Sequence, residues 1–219
     1  MRIHIILVIA LIMAGCVSVS SYEKFYKPLA DPRELQDVEL LKPGQEPQLF
    51  RTANLDNDIK NFRSKQYLPV GLSSFNGGYE DERGIKAQAA RVGASVVLVH
   101  AASTKAHAAA PKQRYDQVAV FFVKSTKKLK FGVAVTELTP EQRTSLGRNT
   151  GAIVEVVMEN SPAFNANVLP GDILVEVNGV SVQNVQHAVE LMLGADVSKG
   201  TATFKVIRKG EEKVITITF

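Results

Sequence analysis

Apolar positions along this chain fall into four stretches with different periods. Ile3–Met13 is a continuous apolar run broken only by His4, with Arg2 before it. From Val17 to Pro47 no period is sustained. That segment carries Pro28, Pro32, Pro43, Gly44 and Pro47, and Arg33–Leu41 is long enough for one or two helical turns. From Gln48 the pattern becomes regular. Gln48–Thr52 reads as a short strand, and Asn54 as the N-cap of a helix to about Lys65, with Leu55, Ile59 and Phe62 at helical spacing. Tyr67–Ser74 alternates and is rich in strand formers, then breaks at Asn76-Gly77-Gly78. Glu80–Val92 places Ile85, Ala89 and Val92 on one helical face and ends at Gly93. Ser95–His100 and Tyr115–Val123 are apolar runs of the kind a sheet buries on both faces, separated by an Ala-rich loop over Ser103–Gln113.

The order over residues 48–124 is therefore β-α-β-α-β-β. A helix between the strands at 67–74 and 95–100 calls for a right-handed parallel crossover. The expectation is a small α/β layer domain with helices on one or both faces of a short sheet. Residues 16–47 read as a tether that holds this body away from a surface, and the basic segment Ser125–Lys130 is a domain boundary.

A new pattern starts at Phe131. Phe131–Val135 is a strand entered through Gly132, Glu137–Ser145 a short helix or turn, and Gly151–Met158 a strand. Asn160-Ser161-Pro162 caps a turn of helix. Ile173–Val177 is a strand closed by Asn178-Gly179, a strong hairpin signal. Asn184 begins a helix reaching Leu193, and strands follow at Thr201–Arg208 and Lys213–Phe219.

Composition narrows the picture only at the N-terminus. With 45% apolar and 22% charged residues, ordinary folded domains are expected; a net charge of +4 spread along the chain is only weak support for nucleic acid, and the lack of a basic run with interleaved aromatics argues against it. The run Ile3–Met13 is shorter than the roughly 20 residues a membrane-spanning helix needs. It fits the apolar core of a signal peptide, residues 1–15. Met13-Ala14-Gly15-Cys16 resembles the lipobox of bacterial lipoproteins. The resemblance implies a lipidated (palmitate-bearing) Cys16 at the mature N-terminus. Val17 after it implies sorting to the outer membrane, facing the periplasm. Cys16 is the only cysteine, so a monomer has no internal disulfide.

The string Ser161 to Gly179, S-P-A-F-N-A-N-V-L-P-G-D-I-L-V-E-V-N-G, resembles PDZ domains, most closely those attached to HtrA-type proteases. The resemblance covers residues 130–219 and implies a partly open β-barrel capped by helices, so the whole chain is expected to be α+β. Asn167 stands where the family has glycine, and Asn tolerates positive φ. Such domains take a peptide as an extra strand at a sheet edge. By position the receiving edge is Val133, Ala134, Val135 and Thr136, opposite the helix starting at Asn184. The loop Phe131-Gly132-Val133 would present N–H groups to a terminal carboxylate. Lys128 and Lys130 either add charge there or form a solvated linker. Val185, Val189 and Met192 share a stripe that faces either the groove or the core; alignment with the family's helix puts them toward the groove and Ala188 and Leu191 toward the core. Val185 then favours an apolar ligand side chain two positions before the peptide's end.

The N-terminal unit resembles, loosely, uncharacterised α/β regions of bacterial lipoproteins, through Tyr67-x-Pro69-x-Gly71-x-Ser73-x-Phe75 and Val92–His100. No Gly-Asn-Ser-Gly-Gly segment or G-x-S-x-G elbow accompanies it. His100, His107 and Asp116 have no metal-site spacing, and no phosphate-cradling loop is present. The expectation is a non-catalytic lipoprotein without cofactor or metal, binding C-termini or extended segments of envelope proteins. A structural role, in which the groove takes the chain's own apolar tail or a neighbouring subunit, is the alternative. The tail V-I-T-I-T-F reads as the domain's last strand, which would make it unavailable.

Overall fold

Two sheets organise the computed structural model, which describes residues 19–104 and 113–219. The signal-peptide segment, Cys16 and His107 lie outside the described residues. The first unit contains α1 (Ser21–Lys24), β1 (Tyr26–Pro28), β2 (Val38–Glu39), β3 (Gln48–Arg51), α2 (Leu55–Ser64), β4 (Tyr67–Gly77), α3 (Glu82–Val92), β5 (Val96–Ser103) and β6 (Tyr115–Ser125). Its strands lie in the order β1-β4-β6-β5-β3, with β2 also on β6.

Helix ends follow local chemistry. Asn54 accepts the Asn57 N–H to cap α2, Asp81 accepts the Arg83 N–H to cap α3, and Gly93, at φ +72°, stops α3 in the left-handed conformation. Alternation along the central strands sorts the core into two layers. Val97 and Val99 of β5, with Ala119, Phe121 and Val123 of β6, pack with Ile85 and Ala89 of α3. Val96, Leu98, Val120 and Phe122 face the other way, onto Leu55, Ile59 and Phe62 of α2. Each fully buried Val, Leu or Phe of this kind is worth roughly 1.5–3 kcal/mol. The sheet is thus covered on both faces.

The structure refines one expectation and corrects another here. β4 and β5 run the same way, as the helix between them requires, with β6 inserted between them, antiparallel to both; the parallel neighbours are β3 and β5. The helix pattern shows direction, while adjacency depends on where the returning strand settles. The correction concerns the tether. Residues 21–39 are part of the folded unit: Tyr22 is 1% exposed, β1 pairs with β4, and β2 with β6. The stretch around residues 33–41 is turn and strand, not helix.

The Gly71-x-Ser73-x-Phe75 track explains why. Residues two apart on a strand share a face, and this face receives the N-terminal segment. A Cβ on Gly71 would overlap the Tyr26 ring. The Ser73 hydroxyl donates to the Tyr22 carbonyl at 2.5 Å. Phe75 meets the Tyr22 ring edge-on and stacks with Phe25, at centroid distances of 4.9 and 5.9 Å.

The second unit contains β7 (Val133–Thr136), α4 (Pro140–Leu146), β8 (Ala152–Val157), α5 (Pro162–Asn165), β9 (Ile173–Val177), β10 (Val180–Ser181), α6 (Val185–Gly194), a 3-10 turn (Val197–Lys199), β11 (Thr201–Arg208) and β12 (Glu211–Thr218). The antiparallel order is β12-β11-β9-β8-β7, with β10 folded back on β9. This is an open path, so hydrogen bonding closes no barrel. Its two ends meet through side chains: the Phe131 ring lies 4.8 Å from Phe204 and 5.1 Å from Phe219. Asn167 has φ +61°, and Asn178 and Gly179 make the expected tight turn.

Candidate peptide-binding edge

Among the described residues β7 is hydrogen-bonded only to β8, which leaves its other edge free for a further strand. How that edge begins depends on two carbonyls. The Phe131 carbonyl accepts the Ala163 N–H at 3.0 Å, and the Gly132 carbonyl accepts the Met158 N–H at 2.7 Å. Both therefore point into the domain. In a trans peptide group the C=O and the following N–H point opposite ways, and every peptide bond described is trans. The N–H groups of Gly132 and Val133 consequently face outward, side by side, at the start of the free edge. Two adjacent outward donors form an anion-binding concavity.

Gly132 is required here for close packing. It sits at φ +74°, and a Cβ would overlap the side chain of Ser161. Ser161 in turn caps α5 by accepting the Phe164 N–H. The glycine of the loop and the serine of the Ser161-Pro162-Ala163 motif are thus two halves of one contact.

α6 flanks the edge and is fastened to both ends of β7. Before the strand, the Lys130 ammonium donates to the carbonyls of Leu193, at 2.5 Å, and Ala195, at 3.0 Å. After it, the Glu137 carboxylate accepts the Val185 N–H at 3.3 Å. A cation at the helix C-terminus and an anion at its N-terminus both match the helix dipole. Arg143 holds Glu137 from the far side at 3.2 Å.

Residues 130–219 are a PDZ domain. The family model described as "PDZ domain" matches those residues. A probable periplasmic serine endoprotease DegP-like from Marinomonas sp. (strain MWYL1) is 34% identical over 91 residues, which are 40% of this chain and 19% of that protein. The corresponding protein of Hahella chejuensis (strain KCTC 2396) is 31% identical over 88 residues, 39% of this chain and 19% of its own length. The chain thus spans about a fifth of the curated relatives it matches. Among solved structures, the HtrA3 PDZ domain bound to a phage-derived ligand (FGRWV) is 24% identical, covers 40% of this chain and 81% of its own, and has a TM-score of 0.35. The HtrA-type protease AlgW with a decapeptide is 23% identical, covers 45% and 36%, and has a TM-score of 0.34.

Within the PDZ domain the structure distributes the residues singled out from the sequence unevenly. Phe131 and Val133 point into the core, where Phe131 contacts Phe204; their backbone, not their side chains, reaches the edge. Ala134 and Val135 are half-buried along β7. Val185 and Val189 are half-buried and pack against the core from α6. Met192 departs from the expected stripe: it is 8% exposed and belongs to the core with Ala188, while Leu191 is half-buried. Met192 stands one helical turn after Ala188 and shares its inward face. Lys128 is exposed, whereas Lys130 is engaged by α6.

Sequence patterning missed two features. One is the pair Asp172–Arg208: Asp172 is 1% exposed, accepts from the Arg208 guanidinium at 2.6 Å and from the Leu169 N–H at 2.9 Å, and so braces the turn before β9. The Gly171-Asp172 dipeptide was visible, but its partner lies 36 residues away. The other is Glu137, which no motif marks. Of the histidines, His100 donates from Nδ1 to the Thr52 carbonyl at 2.9 Å, and His187 accepts the Gln183 N–H on Nδ1 at 3.4 Å. The chain's own tail is committed to the sheet: β12 pairs with β11 along its whole length, and the Phe219 N–H donates to the Gly200 carbonyl.

Proposed function

We propose that this protein is a non-catalytic, lipid-anchored lipoprotein of the bacterial envelope, tethered through Cys16 and facing the periplasm. In this reading its PDZ domain captures C-terminal or extended peptide segments of envelope proteins. The observation that carries the reading is the free β7 edge opening on the outward N–H groups of Gly132 and Val133. A peptide laid along β7 adds main-chain hydrogen bonds, and its terminal carboxylate meets that donor pair. Val185 and Val189 supply an apolar wall, which selects apolar side chains near the peptide's end. The periplasmic setting is supported by the names of the DegP-like relatives and by the lipobox resemblance at Met13–Cys16.

The test is fluorescence anisotropy of labelled C-terminal peptides on the full chain, since α1 begins at Ser21 and a shorter fragment would strip its cap. Micromolar binding is expected, weakened at least tenfold when the peptide carboxylate is amidated and again by Val185→Gln. Gly132 is unsuitable as the diagnostic position, because a side chain there collides with Ser161. Equal binding of free and amidated peptides would overturn carboxylate reading at this edge.

A further inference from the structure

The folded part of the chain begins almost at the proposed anchor. Only residues 17–19 separate Cys16 from Ser20, so their Cα atoms are at most about 14 Å apart. Ser20 is fixed in the fold. Its hydroxyl accepts the Glu23 N–H to cap α1, and its side chain lies so close over Gly84 of α3 that a Cβ there would overlap it. The Ser21 N–H donates to the Glu80 carboxylate at 3.0 Å. The chain therefore leaves the first unit at a set point beside the start of α3. With Cys16 held where the acyl chains begin, the headgroup layer takes up roughly 5–8 Å of the reach. What remains is less than the diameter of one helix, about 10–12 Å. That span is too short to hold the exit side of the unit off the membrane.

The surface around the exit point suits lipid. Val19, Phe25 and Leu29 are 60%, 42% and 58% exposed. Val19 and Leu29 stand in adjoining clefts along α3, and Glu23 and Arg91 line both. Between them the chain follows β1, the outermost strand, along the edge of the sheet. Phe25 stacks on Phe75 there, with the Lys24 ammonium 5.3 Å from its ring centroid. Lys24 and Lys27 are exposed. The anions nearby are engaged: Glu23 pairs with Arg91, Glu80 holds the Ser21 N–H, and Asp31 holds the Arg33 N–H. Apolar side chains flanked by lysines, whose stems lie on apolar surface while the ammonium stays with the phosphates, suit a membrane interface. So small a patch binds weakly by itself, but an anchor makes its contact intramolecular.

The fold also decides what faces away. α1 and α3 pack on one face of the first sheet and α2 on the other. The PDZ domain meets the α2 side, through Arg63 with Glu155 and Ser64 with Glu159.

We propose that the flank formed by α1, β1 and α3 docks directly on the phospholipid surface into which Cys16 is anchored. Val19, Phe25 and Leu29 insert, and Lys24 and Lys27 meet the headgroup phosphates. The proposal rests on the lipoprotein reading of Cys16 and deepens it: the first unit is seated on the membrane, and the PDZ domain is carried on the far side of the sheet from the lipid.

The chain has no tryptophan, so a single introduced one reports its own depth. The full chain carrying Leu29→Trp or Phe25→Trp is expressed in a lipidating bacterial host, and mass spectrometry reads the state of Cys16. It is then reconstituted into phosphatidylcholine–phosphatidylglycerol vesicles, with and without bromine on the acyl chains near the headgroup. Val214→Trp, at a 67% exposed position on β12 of the PDZ domain, is the control. Bromine is expected to quench the Leu29→Trp and Phe25→Trp chains at least twofold and to leave Val214→Trp unchanged. Adding Lys24→Glu and Lys27→Glu should relieve much of that quenching. An unmodified Cys16 would overturn the anchor and the docking together. A lipidated chain without quenching at positions 25 and 29, or with equal quenching at position 214, would overturn the docking and leave the anchor standing. So would a blue-shifted but unquenched emission, which would mean that a second copy of the chain covers the flank.

Discussion

Tyr22 shows how one side chain anchors a segment that composition alone reads as linker. Its ring is in the core of the first unit, and its hydroxyl donates to Gln117 at 3.3 Å. Burial, followed by the Glu80 carboxylate, raises its pKa from the ordinary 10.0 to about 12. A raised folded-state pKa means that the folded chain retains the proton more strongly than the unfolded one. The associated stability is complete below pH 10 and is lost as pH climbs through about 12. At about 1.4 kcal/mol per pKa unit the loss amounts to roughly 2–3 kcal/mol. Urea unfolding followed by circular dichroism between pH 9 and 12 should show this decline, and Tyr22→Phe should flatten most of it. An unchanged slope in Tyr22→Phe would assign the decline to other groups. The proline content of residues 28–47 was visible in the sequence and read as a tether, whereas the partners of Tyr22 and Tyr26 lie more than forty residues away and leave no local trace.

At the scale of elements, α6 and β7 depend on one another through their ends. Lys130 neutralises the C-terminal carbonyls of α6 and Glu137 the first N–H, both near solvent, so each is worth about 0.5–1 kcal/mol. Hydrogen exchange should separate them. Lys130→Met is expected to speed exchange in the last turn of α6 by several-fold and leave the first turn unchanged, while Glu137→Gln does the reverse. Uniform acceleration along α6 in either variant would mean that the helix responds as a block and that the two fastenings are not local. Helix boundaries themselves were legible, because Asn54, Gly93, Ser161 and Asn184 act on their own neighbours. Met192 was not: helical spacing allows it to join Val185 and Val189 or Ala188, and which of these faces goes into the core is set by the strands beneath it.

For the whole molecule, the two units touch where α2 meets β8. Arg63 pairs with Glu155 at 2.7 Å, and the Glu159 N–H donates to the Ser64 carbonyl at 2.9 Å. Met158, next to Glu159, donates to the Gly132 carbonyl. The seam therefore adjoins the loop that sets the β7 edge. A double-mutant cycle over Arg63→Gln and Glu155→Gln should give a coupling of about 0.5–1 kcal/mol that shrinks in high salt, as expected for a pair about one-third exposed. Slower exchange at the Glu159 amide should be lost in the same variants. A zero coupling with protection intact would show that the seam does not depend on the ion pair.

The sequence by itself determined what local chemistry controls: the caps, the Asn178-Gly179 turn, the periods that separate helix from strand, and the Ser161–Gly179 string that marks the PDZ domain. Only the tertiary structure decided which strands lie side by side, because β6 inserts between β4 and β5 through contacts that no period encodes. It also decided that residues 21–39 belong to the fold and that Gly132 is needed for Ser161. Each of these depends on residues far apart in the chain meeting at short range, and pattern along one strand or helix carries no record of what packs against it.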